Sequence, residues 1–193
     1  MAKKLLLYLH GFNSSPRSIK ALEMVNYLGS QHPEIAIEVP SLSPYPSIAW
    51  QQIEQIIQAY PMHQIGAVGS SLGGYYATRV SQTFGFPAVL INPAVKPYEL
   101  LVDYLGENTN PYTQGKFILG EQHIDELRAL DCTCLVAPEK LWVLLQTHDE
   151  VLDYRQAEAK YCTAKITVEQ GGDHSFVGFE HYLSAILTFL AFK

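Results

Sequence analysis

Charged residues and cysteines are both scarce in this sequence. Charged residues make up 17% of the 193 residues and hydrophobic residues 48%, whereas globular proteins usually carry about 25% charged residues. This balance excludes a disordered chain and favours one compact globular domain. The three cysteines, Cys132, Cys134 and Cys162, are too few and odd in number for a disulfide framework. The pair at 132 and 134 lacks further ligands at a metal-binding spacing, so we expect reduced thiols and no metal.

Runs of basic residues and long apolar runs are missing as well. The net charge is −6, from 13 basic and 19 acidic residues, and no basic stripe of the kind that binds nucleic acid is visible. No apolar run reaches the roughly 18 residues of a membrane span. The start, residues 1–9, imitates a signal peptide, but its apolar core is short and leads into His10-Gly11 rather than a cleavage site. We therefore expect a cytoplasmic protein without a nucleic-acid partner.

Short apolar runs alternate with longer amphipathic segments along almost the whole chain. The predicted strands are 5–10, 35–39, 65–69, 88–91, 141–146 and 165–169. The predicted helices are 17–28, 47–60, 72–84, about 122–130, 151–160 and 179–192. This alternation predicts the α/β class, with a doubly wound, mostly parallel sheet of about six strands and helices on both faces.

One stretch, between Pro93 and Pro138, interrupts this alternation. It contains several aromatic residues and the run Asn108-Thr109-Asn110-Pro111, but no pattern of a second core. We therefore expect a single domain, 1–193, in which residues 94–138 form a short cap over the sheet.

The strongest motif is Gly69-Ser70-Ser71-Leu72-Gly73, which fits G-x-S-x-G with Ser71 at its centre. It follows a predicted strand and opens a predicted helix, which is the setting of a nucleophile elbow. Glycines two residues to either side, Gly69 and Gly73, remove the Cβ atoms that would clash in so sharp a turn. An ordinary glycine-rich turn is the alternative. A Walker A phosphate loop is excluded because no Lys-Ser or Lys-Thr pair follows.

A serine nucleophile needs a base, and the base needs a third group that orients it. Asp149 comes directly after one predicted strand, and His174 lies in the loop Gly171 to Phe176 after the last one. The carboxyl ends of parallel strands meet at one edge of the sheet. We therefore predict that Ser71, Asp149 and His174 converge as nucleophile, acid and base.

Other residues could fill the last two roles. Asp153 and Asp173 are alternative acids, although Asp173 is next to His174 in sequence and poorly placed to reach its Nδ1. His148 is an alternative base, but its position suits the loop of the acid better.

The same chemistry needs donors for a developing oxyanion. The first predicted strand ends in Leu9-His10-Gly11-Phe12, where Gly11 allows a tight turn beside the elbow. We predict that the backbone N–H groups of Phe12 and Leu72 form the oxyanion hole.

These motifs together resemble the α/β-hydrolase superfamily. Two stretches, residues 8–16 and 69–76, more narrowly resemble the small bacterial YqiA-type esterases. The resemblance covers almost the whole chain and implies hydrolysis of carboxylic esters, or of acyl thioesters, through an acyl-serine without metal or organic cofactor. It also implies that the chain lacks the first two strands of larger hydrolases.

The sequence leaves the substrate open beyond a small-molecule ester or thioester. A thioesterase, a perhydrolase or an acyltransferase would use the same site, and a non-catalytic hydrolase-like binding protein would share the fold. Aromatic residues in 94–138 and in 41–46 indicate an uncharged acyl or aryl group, or only packing.

Overall fold

The structure is a computed structural model that describes residues 3–193. In chain order its strands are β1 (Lys3–Leu9), β2 (Ile35–Glu38), β3 (His63–Ser70), β4 (Ala88–Ile91), β5 (Gly106–Thr109), β6 (Lys116–Leu119), β7 (Leu141–Gln146) and β8 (Lys165–Glu169). Its helices are α1 (Ile19–Gln31), α2 (Pro46–Ala59), α3 (Leu72–Phe84), α4 (Pro97–Leu100), α5 (Glu121–Leu130), α6 (Tyr154–Lys160) and α7 (Leu183–Phe189).

Six strands form the main sheet in the order β2-β1-β3-β4-β7-β8, and every neighbouring pair is parallel. This confirms the predicted α/β fold class. The strands are parallel because each is followed by a helix that returns the chain to the same end of the sheet. The carboxyl ends of all six strands therefore lie at one edge.

The core lies on both faces of this sheet. Along β1, Leu5, Leu7 and Leu9 pack on the face covered by α2 and α3, whereas Leu6 and Tyr8 pack on the face covered by α1 and α7. Successive strand side chains point to opposite faces, so a run of apolar residues fills two cores at once.

Several helix boundaries differ from the sequence prediction. Helix α6 begins at Tyr154 rather than at 151, because Asp153 accepts the N–H of Arg155 at 3.1 Å and caps the helix. The predicted helix 179–192 divides into a 3₁₀ turn, Phe179–Tyr182, and α7. No helix within residues 3–193 is both long and apolar enough to cross a membrane.

Residues 94–138 contain more regular structure than the sequence indicated. Strands β5 and β6 form an antiparallel hairpin that is separate from the main sheet, and α4 and α5 flank it. The hairpin lies beside the first loop of the main sheet, where Asn110 donates from Nδ2 to the carbonyl of Ser14 at 2.9 Å.

Candidate active site

Ser71 occupies the turn between β3 and α3. Its backbone has φ 55° and ψ −119°, a left-handed conformation that few non-glycine residues adopt. The Ser71 N–H donates to the carbonyl of Ile91 at 3.0 Å, and the Ser71 carbonyl accepts from Ala94 at 3.1 Å. These bonds to the segment after β4 hold the serine in its strained geometry.

The flanking glycines are required by close backbone approach. A Cβ at Gly69 would lie 2.1 Å from the carbonyl oxygen of Gly73, and a Cβ at Gly73 would lie 1.9 Å from that of Leu9. Helix α3 can therefore pass directly behind β1 and β3 only with glycine at both positions, as the G-x-S-x-G motif predicts.

The structure brings Ser71, His174 and Asp149 together. His174 Nε2 lies 3.1 Å from Ser71 Oγ, and His174 Nδ1 lies 2.9 Å from both carboxylate oxygens of Asp149. The Asp149 side chain is 2% exposed and the His174 side chain 23%. A carboxylate at Nδ1 favours the tautomer with a proton there, which leaves Nε2 free to accept the serine proton.

The alternative acids and the alternative base lie elsewhere. Asp153 caps α6, as described above. The backbone N–H of Asp173 donates to Gln146 at 3.1 Å, and its Oδ1 has no hydrogen-bond partner within residues 3–193. His148 is exposed. Of the three candidate acids, Asp149 is the one whose carboxylate hydrogen-bonds to the ring of His174, and its Oδ1 also accepts the backbone N–H groups of residues 151 and 152.

The loop after β1 lies against the serine. A Cβ at Gly11 would lie 3.2 Å from Ser71 Cβ and 3.7 Å from Ser71 Oγ, so glycine lets this backbone approach the nucleophile. Leu72 is the first residue of α3, and the first N–H groups of a helix have no acceptor within it. The N–H of Phe12 likewise has no acceptor within residues 3–193.

The side chain of Phe12 fixes that loop to the hairpin above it. Its ring lies edge-on to Tyr104 at 5.1 Å and to Phe117 at 6.0 Å between centroids. Such pairs stabilise the contact beyond simple area burial, so residues 94–138 hold the predicted oxyanion loop in place.

Two buried amide side chains, Gln146 and Asn92, hold the loop that carries His174. Gln146 Oε1 accepts the N–H groups of Asp173 at 3.1 Å and Val177 at 2.9 Å, and its Nε2 donates to the Val177 carbonyl at 2.7 Å. Asn92 donates from Nδ2 to the carbonyls of Asp173 and His174 at 3.0 and 3.3 Å.

Sequence reasoning missed both amides. Each is the polar residue at the carboxyl end of a buried apolar strand, Gln146 ending β7 and Asn92 following β4. That position, where parallel strands present side chains to a site, is the signal that could have found them.

Two charged residues complete the support of this loop. Glu150 Oε2 accepts the backbone N–H of His174 at 3.0 Å, and this bond lowers the pKa of the Glu150 carboxyl. Lys20, on α1, donates from Nζ to the carbonyl of Ser175 at 2.6 Å. Burial lowers the pKa of Lys20, an effect that the carboxylates of Asp173 and Glu23 oppose.

Two clefts share the loop after β1, residues 10–14, as part of their walls. The Leu72 cleft, about 270 Å³, lies between the first loop, the segment 41–44 and the hairpin, and Phe12, Leu42, Tyr76 and Phe117 contribute its apolar wall. The His174 cleft, about 420 Å³, lies between the same first loop, α1 and residues 174–180, and contains Ser71. Within residues 3–193, no cluster of three or more His, Cys, Asp or Glu side chains is arranged to hold a metal ion.

A six-stranded parallel sheet with a strained serine after β3, an acid after β7 and a histidine after β8 defines the α/β-hydrolase fold class. Solved structures agree with this fold. Mouse alpha/beta hydrolase domain-containing protein 10 has a TM-score of 0.74 and 18% identity, with 99% of this chain and 91% of that chain covered. Est1E from Butyrivibrio proteoclasticus has a TM-score of 0.72 and 13% identity, with 98% and 88% covered.

The chain belongs to the uncharacterised protein family UPF0227, whose model matches residues 5–191. Among curated relatives, the UPF0227 protein YcfP of Salmonella gallinarum is 24% identical over 196 residues, covering 96% of this chain and 98% of that protein. Together with the structural neighbours, this confirms the predicted resemblance to the α/β-hydrolase superfamily and to the YqiA-type family.

Proposed function

We propose that this protein is a serine esterase that hydrolyses carboxylic esters of small molecules through an acyl-serine intermediate. The observation that carries the proposal is the continuous contact from Ser71 Oγ through the ring of His174 to the buried carboxylate of Asp149. A buried carboxylate that orients a histidine, which in turn contacts a serine in a strained turn, is the arrangement that acyl transfer requires.

In the first half-reaction, His174 Nε2 takes the proton of Ser71 Oγ as the oxygen attacks the ester carbonyl. The carbonyl oxygen becomes an oxyanion, which the N–H groups of Phe12 and Leu72 stabilise in this proposal. The bond to the alcohol oxygen then breaks, and His174 gives its proton to the departing alcohol. Losing one backbone donor of this kind raises the free energy of the transition state by about 3 kcal/mol.

In the second half-reaction, water replaces the alcohol. His174 takes a proton from water as its oxygen attacks the acyl-serine, and the second oxyanion uses the same two donors. When the bond to Ser71 breaks, His174 returns the proton to Oγ, and the carboxylic acid leaves. Asp149 stabilises the imidazolium that forms in both halves without accepting its proton.

In this proposal, residues 1–193 form one hydrolase domain, and residues 94–138 form its cap. The contacts of Phe12 with Tyr104 and Phe117 support this, because they fix the cap to the oxyanion loop rather than leave it as a free lid. We also propose that the protein acts in the cytoplasm, on the sequence grounds given above; separating cell fractions and probing for the protein tests this.

The nucleophile is tested with a fluorophosphonate probe, which labels activated serines covalently. The wild-type protein should be labelled, and Ser71→Ala should lose labelling while keeping the wild-type melting temperature. Ser70→Ala, which removes the adjacent hydroxyl, is the matched control and should still be labelled. Labelling of Ser71→Ala at the wild-type rate would show that another residue is the nucleophile.

The reaction is tested with p-nitrophenyl esters and acyl-CoA thioesters of graded chain length, with the products identified in the presence and absence of a second alcohol. Release of free acid from the esters is expected. Transfer of the acyl group to the added alcohol in preference to water would instead make the protein an acyltransferase.

A further inference from the structure

The His174 cleft contains buried polar atoms that nothing in the fold uses. Tyr8 lines the cleft and is 0% exposed, and its hydroxyl has no hydrogen-bond partner within residues 3–193. Asn13, in the loop after β1, also lines the cleft, and its Oδ1 atom is buried without a partner in the same part of the chain. A buried polar group without a partner destabilises the fold, so two of them in the cleft that contains the serine indicate that a bound molecule supplies the missing partners.

The charges of this cleft have both signs. Glu23 and Glu180 lie in its wall with Lys20. Burial and the charge of Glu180 raise the pKa of Glu23, whereas the charge of Lys20 lowers it. Burial also raises the pKa of Tyr8, and the charge of Glu23 raises it further. The two carboxylates repel a negatively charged ligand, and the ammonium group of Lys20 repels a positively charged one. An uncharged molecule that both donates and accepts hydrogen bonds, such as an alcohol with several hydroxyls, suits all three.

The position of His174 decides which half of the ester enters this cleft. His174 lines it and is absent from the wall of the Leu72 cleft, whereas Leu72 lines only the latter. Because the histidine must protonate the departing oxygen, the alcohol half of the ester lies on the His174 side. The acyl half then extends beside Leu72 and Phe12 into the smaller cleft.

We propose that the His174 cleft is an alcohol subsite that recognises a polyhydroxy leaving group, with Tyr8, Asn13 and Glu23 contacting its free hydroxyls. This rests on the proposed esterase function and adds the substrate class: an uncharged polyol ester rather than a simple alkyl ester or a coenzyme A thioester. The Tyr8 hydroxyl donates a hydrogen bond to the bound alcohol, and the Asn13 amide oxygen and the Glu23 carboxylate accept hydrogen bonds from its hydroxyls.

The test compares two esters that differ only in those hydroxyls. Glycerol 1-monobutyrate and propyl butyrate share the acyl group and the three-carbon alcohol, so the ratio of their kcat/KM values reports recognition of the free hydroxyls. We expect the wild-type protein to favour the glycerol ester by about tenfold or more, since its free hydroxyls form hydrogen bonds that propyl butyrate cannot form. Butyryl-CoA should be the poorest of the three substrates.

Tyr8→Phe removes the unpaired hydroxyl and keeps the ring that packs in the core. It should lower kcat/KM for the glycerol ester about fivefold more than it lowers that for propyl butyrate. Tyr27→Phe, on α1 but outside the cleft, is the matched control and should change neither value. A merely structural role of Tyr8 would lower both values together, or neither.

The outcomes separate this inference from the proposed function. If the wild-type protein hydrolyses both butyrates equally, hydrolyses them but prefers butyryl-CoA, or changes alike on both esters in Tyr8→Phe, the alcohol subsite is overturned and the esterase stands. If it hydrolyses no ester of any acyl chain length and Ser71 is not labelled by the fluorophosphonate, the esterase proposal itself fails.

Discussion

The backbone N–H of Gln146 donates to Oδ1 of Asn92 at 3.0 Å, which joins the two amide side chains that hold the loop of His174. Both side chains are buried, at 3% and 2% exposure. Gln146 Nε2 donates, besides its bond to Val177, to Glu169 Oε2 at 2.9 Å, so both protons of its amide are used. The position of the His174 ring over Ser71 therefore depends on a network that extends from β4 through β7 to β8.

Gln146→Leu removes this support and leaves the nucleophile, base and acid in place. We expect kcat to fall by about tenfold to a hundredfold with KM little changed, because small displacements of a catalytic group act mainly on the transition state. Gln82→Leu is the matched control, because Gln82 Oε1 also accepts two backbone N–H groups, those of residues 136 and 137, and Gln82 lines neither cleft. The control should lower the melting temperature without lowering kcat. Equal losses of kcat in both variants would mean that Gln146 acts only on stability.

Asp149 and Asp153 are four residues apart and have different tasks in the structure. Asp149→Asn should lower kcat by up to about 10⁴-fold, because an amide at this position favours the wrong tautomer of the histidine. Asp153→Asn should leave kcat near the wild-type value and, as an altered helix cap, lower the free energy of unfolding by at most about 1 kcal/mol. Steady-state kinetics and urea unfolding of both variants test the assignment. A larger loss of kcat in Asp153→Asn than in Asp149→Asn would reverse it.

The sequence predicted the sheet and the convergence at its edge because both depend on local patterns. Apolar runs such as 141–146 specify buried parallel strands, and polar residues directly after them must then lie at one edge. The hairpin formed by Gly106–Thr109 and Lys116–Leu119 escaped prediction because each strand has only four residues, and β5, Gly-Glu-Asn-Thr, has no apolar side chain. Its position depends on contacts distant in sequence, such as Phe12 with Phe117, which no local pattern shows.

Gly73 and Gly29 both lie in helices, but only at Gly73 does close packing against another backbone require glycine. Gly73→Ala places a Cβ against the backbone of Leu9, a contact that no side-chain rotation can relieve. We expect a loss of unfolding free energy of at least about 3 kcal/mol, at the upper end of the range for overpacking, or an insoluble protein. In Gly29→Ala, on α1, no heavy atom lies within 4 Å of the new Cβ. That variant should gain up to about 1 kcal/mol from helix propensity, and urea unfolding compares the two. A Gly73→Ala protein as stable as the wild type would show that α3 does not approach β1 so closely.

His10 makes the stability depend on pH below neutrality. Its Nε2 accepts the backbone N–H of Leu42 at 3.1 Å, so the ring is neutral with its proton on Nδ1, 2.9 Å from the carbonyl of Gly11. Burial lowers the pKa of His10 from its ordinary value of 6.5. As the pH falls through 6.5, the unfolded chain takes up a proton before the folded protein does, so this contribution to stability is complete above that pH and is lost below it.

His10→Gln keeps an acceptor for Leu42 and removes the titration. Between about pH 7.5 and about pH 5, the range in which an imidazole titrates, its free energy of unfolding should fall less than that of the wild-type protein. His181→Gln changes an exposed histidine, 79% accessible at its side chain, and should keep the wild-type pH dependence. Urea unfolding at a series of pH values measures all three proteins. Parallel plots of unfolding free energy against pH for the wild type and His10→Gln would mean that the ring of His10 titrates alike in the folded and unfolded states. The position of the loop 41–44 at the Leu72 cleft would then not depend on the neutral form of His10.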